Sequence, residues 1–412
     1  MKKSICLSLL IIMFSYYNIQ ACTTAIVSGK YTKDGRPILW KHRDSDFIHN
    51  KLMYFTDGKY EYIGLVNSSD LEGKEVWTGT NANGFSIMNA ALYDVNLHDT
   101  TDYKDKEGFL MKMALQQCAT IDDFEKLLNT LPKPLGIAAS FGVIDAQGGA
   151  AYYETDNSSF IKYDANDSRI APNGYIIRTN YSYRGEKDKG FGYIRYENAH
   201  DHFNLAFASN TLDYKVILQD FDRSFYHSLL KIDYRENDKD YNQKVKFINA
   251  EDLIVRNSSV ASVLIHGVKK GESPDYTTMW TILGFQYTSV AIPAWVKGGS
   301  ALPKILTSDK TNNAPLCEAS LELKKKCYPI ERGSGYKYLN ICAVINSDKT
   351  GILQKIEPIE KSIFVETDKK VSTWQKQQIN NEEIQKFYTW IDNYIIQEYK
   401  KAFPDLEIKI SE

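Results

Sequence analysis

The sequence predicts an α+β fold built on antiparallel sheets, and three observations carry that expectation. Strand-like runs come in neighbouring pairs joined by turns rich in Asn, Asp and Gly, which makes the pairing antiparallel. Two amphipathic helices follow one another instead of alternating with strands, which argues against a parallel doubly wound sheet. A long apolar stripe at helical spacing closes the chain.

Taken in order, the 412 residues begin with Met1, Lys2 and Lys3, an apolar run from Ile5 to Phe14, and a small residue at Ala21. This is the pattern of a secretory signal over residues 1–21, too short to span a bilayer. The mature chain is therefore expected to begin at Cys22 and to be periplasmic or secreted. From Cys22 to Ser28 the residues are β-prone, Lys33 to Arg36 carry a turn signal, and Pro37 to Arg43 run back. A turn centred on Asp34 and Gly35 sets Asp44 roughly opposite Ala25, which returns Asp44 to the neighbourhood of Cys22. A second hairpin pairs Val76 to Thr80 with Phe85 to Asn89 across Asn81, Ala82, Asn83 and Gly84.

A helix is predicted over Glu107 to Ala119. Another opens at Thr120 with a capping-box pattern to Asp123, carries Ile121, Phe124, Leu127 and Leu128 on one stripe, and stops at Pro132. A further hairpin joins Ser140–Ile144 to Ala150–Glu154. The closing helix, Asn381 to Phe403, presents Ile384, Phe387, Ile391, Tyr394 and Ile395 on one face before Pro404. The polar stretch Lys304 to Leu316 suggests a body over residues 22–302 and a C-terminal extension over 303–412, packed on it.

The net charge of -2, with 50 basic and 52 acidic residues scattered along the chain, leaves no electrostatic footprint for nucleic acid. No run after the signal approaches the roughly 20 apolar residues of a membrane span. Of six cysteines, Cys6 leaves with the signal and Cys22, Cys118, Cys317, Cys327 and Cys342 remain. An odd count in an oxidising compartment leaves one thiol unpaired, and Cys22 is the candidate. Cys118 shares a helical stripe with Leu110 and Ala114 and is expected in the core. Cys317 and Cys327 could close a short loop, with Cys342 as a competing partner.

A cysteine in first position gains a base of its own. A free α-amine has an ordinary pKa near 7.7 to 8, so it can accept the thiol proton without a histidine. The competing reading of Ile19, Gln20, Ala21 and Cys22 is a lipid-attachment site that tethers a non-catalytic protein. Gln20 fits that site poorly, and Cys22 leads straight into a strand where a tether needs a flexible polar segment.

Cys22, Thr23 and Thr24 opening a strand, followed by Lys41, His42, Arg43 and Asp44, resemble the start of the N-terminal-nucleophile hydrolases of the choloylglycine hydrolase and isopenicillin N acyltransferase group. The resemblance continues through Asn81 to Phe85 and Asn89, Arg178 to Asn180, and Ile194 to Tyr196, and covers roughly residues 22–295. It implies a four-layer αββα sandwich with the cysteine at the end of a central strand. It also implies that Asp44 orients the amine and thiol of Cys22, that Asn180 and Asn89 donate to an oxyanion, and that Arg195 lies close to the nucleophile. Asn89 follows Asn81 more closely than in the bile-salt-cleaving branch. Lys41, implied to bind substrate, stands where that branch carries arginine, so bile-salt specificity does not transfer.

His266 is expected to be structural, and the cluster Ser273 to Thr278 either lines a rim or caps a strand. No zinc spacing or phosphate loop is present, and no cofactor or metal is expected. The expected activity is hydrolysis of a linear amide in a small N-acyl compound: an N-acyl amino acid, a bile-acid conjugate, an N-acyl lactone or a β-lactam. Acyl transfer to an amine and cleavage of short peptides stand as alternatives, and a homo-oligomer is left open.

Overall fold

Cys22–Val27 (β1), Ile38–Asp44 (β2) and Ser259–His266 are buried along their whole lengths. Strands covered on both faces lose the polar alternation of a half-exposed strand, and that burial reflects a layered arrangement. The structure is a computed structural model that describes residues 21–101, 104–242, 244–308 and 311–410. Apart from Ala21, the expected secretory signal lies outside the described residues.

Seven strands form one sheet in chain order: Asn50–Phe55 (β3), Tyr62–Asn67 (β4), Thr78–Asn81 (β5), Ser86–Ala91 (β6), Ala139–Ile144 (β7), Ala150–Thr155 (β8) and Phe160–Asp164 (β9). The other sheet runs Tyr175–Arg178 (β10), β1, β2, Ser259–His266 (β11), Thr278–Leu283 (β12) and Ile292–Ala294 (β13). Every pairing in both sheets is antiparallel. The sheets meet where β1 and β2 pack on β6 and β7.

Helices cover the outer faces. Glu107–Gln117 (α1) lies on β4, β5 and β6, while Tyr193–Ala208 (α3) lies on β1 and β10. Between them, Ile121–Thr130 (α2) has the predicted capping box: Thr120 accepts from the Asp123 N–H, and Asp123 accepts from that of Thr120. The result is the expected α+β sandwich of four layers with antiparallel sheets. Cys118 sits at the end of α1, in the core beneath the seven-stranded sheet.

The hairpin across Asn81 to Gly84 forms as expected, with the Asn81 side-chain oxygen accepting from the N–H groups of Asn83 and Phe85 and Gly84 at φ +75°. The first hairpin differs in register. Cys22 pairs with Arg43 and Ala25 with Trp40, and the Asp44 N–H donates to Ala21 O at 2.8 Å. Residues 28–37 form a longer connection, in which Thr32 bonds the carbonyls of Gly29 and Arg36, so the turn does not centre on Asp34 and Gly35. The four-residue shift from the expected register preserves each side chain's face and brings Asp44 closer to Cys22.

The C-terminal region contains Pro315–Cys327 (α4), Ile352–Gln377 (α5) and Asn381–Ala402 (α6), the last matching the predicted closing helix. It shares the apolar core of the six-stranded sheet through Leu316, Ile356, Ile363, Ile391 and Ile395. The buried Arg223 grips Glu360 of α5 through two hydrogen bonds, at 2.7 and 2.6 Å. All five described cysteines are free. The loop proposed between Cys317 and Cys327 does not form, because both lie on α4 and ten residues of helix hold them about 15 Å apart. No described helix is long and apolar enough to cross a membrane.

Candidate active site

Strand alternation sorts the residues around Cys22 into two sets. Cys22, Thr24, Lys41 and Arg43 face the gap between the sheets. Thr24 accepts there from the Tyr152 hydroxyl of β8, and Lys41 Nζ donates to Asn89 Oδ1 of β6 at 2.6 Å and to Trp77 O at 2.7 Å. Thr23, Trp40, His42 and Asp44 face the helix layer, where Trp40 packs against Phe203 of α3.

Two predicted residues, Asn180 and Arg195, converge on the backbone of Cys22. Its N–H donates to Asn180 Oδ1 at 3.0 Å. Arg195, one turn into α3, donates to Cys22 O at 2.6 Å, to Thr23 Oγ1 at 3.1 Å and to the same Asn180 oxygen at 2.8 Å. The Asn180 amide nitrogen donates to Ala91 O at 2.9 Å and so ties β10 to the end of β6. Cys22 is only 5% exposed. Burial, together with the charge of Arg256, lowers the Arg195 pKa to about 9, against the pull of Asp44 and Cys22.

Lys41 and Asn89 are also brought together. The ammonium requires an acceptor, which orients the Asn89 oxygen toward Lys41 and leaves the amide nitrogen as the free end, unbonded among the described residues. Burial pushes the Lys41 pKa down to about 8; the charge of Cys22 opposes the shift and that of Arg43 adds to it.

Asp44 occupies the opposite face from the Cys22 side chain and reaches that residue's neighbourhood through its backbone. Its carboxylate accepts from Arg256 Nε and Nη2 at 3.0 and 2.7 Å and from Ser259 Oγ at 2.7 Å. Ser259 stands at a register shift between β2 and β11, an irregularity of the kind that re-aims side chains beside active sites. Ser259 Oγ also meets His42 Nε2 at 2.8 Å, and His42 Nδ1 meets Asp222 Oδ1 at 2.8 Å. Burial by itself raises the Asp44 pKa, but Arg256, His42, Arg195 and the Ser259 hydrogen bond together hold the carboxyl below its ordinary value.

Arg43, His42, Asp222, Arg256 and Ser259 were not singled out by sequence reasoning. Alternation along Lys41–Asp44 could have flagged the first two once a strand was assumed. The other three reach the site only through tertiary pairing. His266 pairs with Ile38 at the far end of β2, roughly 17 Å of strand away from the Cys22 end. There its ring stacks on Tyr214 and bonds Asp34 at 2.9 Å, a structural setting in which burial lowers its pKa to about 4. The Ser273 cluster shares that end, with Ser273 capping a short turn and Thr278 opening β12. Among the described residues no group of three His, Cys, Asp or Glu side chains is placed to hold a metal ion.

No family model matches the chain, and no curated protein matches it. Among solved structures it is similar to a Caenorhabditis elegans ortholog of N-acylethanolamine-hydrolyzing acid amidase, at 17% identity and a TM-score of 0.42, covering 66% of this chain and 100% of that one. A variant of conjugated bile acid hydrolase from Clostridium perfringens aligns at 10% identity and 0.40, covering 67% and 92%. Penicillin V acylase from Agrobacterium tumefaciens aligns at 10% and 0.36, covering 66% and 86%. These neighbours belong to the group that the sequence motifs resemble. At such identities and scores, nothing about chemistry passes from them to this chain.

Proposed function

We propose that the mature chain, exported and cleaved after Ala21, hydrolyses linear amide bonds of small N-acyl compounds with Cys22 as an N-terminal nucleophile. The observation that carries this reading is the hydrogen bond from the Cys22 nitrogen to Asn180, whose oxygen Arg195 also holds. Once residue 22 is terminal, that nitrogen is an α-amine, fixed at the end of a central strand beside its own sulfur.

The amine accepts the thiol proton, and the thiolate attacks the amide carbonyl to give a tetrahedral oxyanion. The C–N bond then breaks as the amine returns the proton to the leaving nitrogen, leaving a thioester on Cys22. Water, deprotonated by the same amine, attacks the thioester and releases the acid. Asn89 and Asn180 are the candidate oxyanion donors. Losing one such donor typically costs on the order of 10² to 10³ in rate. Arg195 anchors the backbone of the nucleophile.

Cys22→Ala is expected to abolish turnover and leave a protein that still melts cooperatively; retained turnover refutes the assignment. A residue left in front of Cys22 should give inactive protein until it is removed. Intact mass of protein from the native host should show an unmodified Cys22 as the first residue. A fatty-acylated Cys22 would make the chain a surface-anchored protein instead, since the sulfur would no longer be available.

A further inference from the structure

We propose that the amide substrate carries a carboxylate, recognised in the gap between the sheets by Arg43 with Lys41 beside it. This rests on the hydrolase reading above and names the substrate class of the same site.

Register sets Arg43 directly across from Cys22, and alternation aims both side chains, with Lys41, into the inter-sheet gap. The guanidinium and the ammonium are both buried, yet their partners are neutral. Arg43 donates to the side-chain oxygens of Asn50 and Asn67 and lies 5.0 Å over the Trp77 ring. Lys41 donates to Trp77 O and Asn89. Among the described residues neither has a carboxylate within ion-pairing distance, and Glu75 and Asp44 act on Arg43 only at longer range.

Elsewhere two fully buried arginines are neutralised, Arg178 by Glu154 and Arg223 by Glu360, and the less deeply buried Arg256 pairs with Asp44; Arg36, at the far end of β2, instead donates to three backbone carbonyls with Asp34 nearby. An ion taken out of water without a counter-charge is costly, so two of them side by side mark a place where an anion completes the structure. The Cys22 thiolate provides one negative charge. Arg195, also without a carboxylate partner among the described residues, is a third cation against it. The excess positive charge remains for the substrate.

Asn50 and Asn67 hold the guanidinium through Nη1 and Nη2, and each uses only one of its five N–H groups. A planar guanidinium held in this way suits a carboxylate, which it can engage through two parallel hydrogen bonds.

The test is steady-state kinetics of the mature enzyme on matched N-acyl amides: one neutral, one with a carboxylate on the amine portion, one with a carboxylate on the acyl portion. Wild type is expected to favour one of the charged members by at least about tenfold in kcat/KM. Which member wins tells on which side of the scissile bond the anion lies. In Arg43→Met that preference ratio should collapse through KM, and Arg43→Lys should restore part of it. Equal use of neutral and charged members by wild type overturns the proposal. So does an Arg43→Met enzyme that loses kcat uniformly while keeping the ratio, since Arg43 would then serve only the thiolate.

Should Arg43→Met fail to fold, competitive inhibition of wild type by small carboxylic acids and by their matched primary amides reads the same preference. Equal inhibition by both overturns it. Failure of the hydrolase reading itself looks different: Cys22 would not be acylated by any member in mass spectra of quenched reactions.

Discussion

The two faces of β2 differ in how they treat charge. On the helix-layer face, His42 bonds Ser259 and Asp222, and the Asp44 carboxylate meets Arg256 and Ser259. On the inter-sheet face, Lys41 and Arg43 are as deeply buried and meet only amide and carbonyl oxygens. Four consecutive residues thus alternate between saturated and unsaturated electrostatics. On the proposed reading the saturated face is scaffold and the unsaturated face meets the substrate, since perturbed buried charges cluster at functional sites.

That contrast can be broken by substitution. The largest expected effect on stability belongs to the saturated face: Asp44→Ala strands Arg256 and Ser259 and should cost about 3 to 5 kcal/mol, read from urea unfolding. Lys41→Met on the other face removes a cation that has no counter-charge. It should change stability by less than about 1.5 kcal/mol in either direction while impairing turnover, a separation that equal losses in both variants would erase.

A pH series sharpens the same point. Burial holds Lys41 near 8 in the folded protein against an ordinary 10.5, and Arg195 and Arg43 are lowered to about 9 and about 10. Between pH 8 and 10.5 the unfolded chain therefore keeps a lysine proton that the folded chain has released. Stability gains from Lys41 as pH rises through that window, and Lys41→Met should flatten this part of the curve. The smallest effect lies far from either face. Thr120→Ala opens the α2 capping box and should lower stability by about 1 kcal/mol with no change in kcat/KM.

Much of the fold was legible locally. The Asn81–Gly84 turn, the Thr120 cap and the stripe of the closing helix each depend on residues within a few positions of one another. The register of the first hairpin was not legible, since a ten-residue connection does not announce where its turn lies. Within the site, Cys22 could be read from its position, and Lys41, Asn89, Asn180 and Arg195 only from motif resemblance. Asp222, Arg256 and Ser259 could not, because nothing near them in the chain marks them as partners of β2.

The sequence by itself determined that paired strands and capped helices form, that a cysteine opens the first strand, and that cations and an aspartate alternate along the second. Alternation is a property of one strand's backbone and needs no neighbours. Only the tertiary structure decided which side of β2 meets the second sheet, and therefore which charges found counter-ions and which did not. Neutralisation depends on side chains more than a hundred residues away, brought close by sheet packing, and local sequence carries no record of that distance.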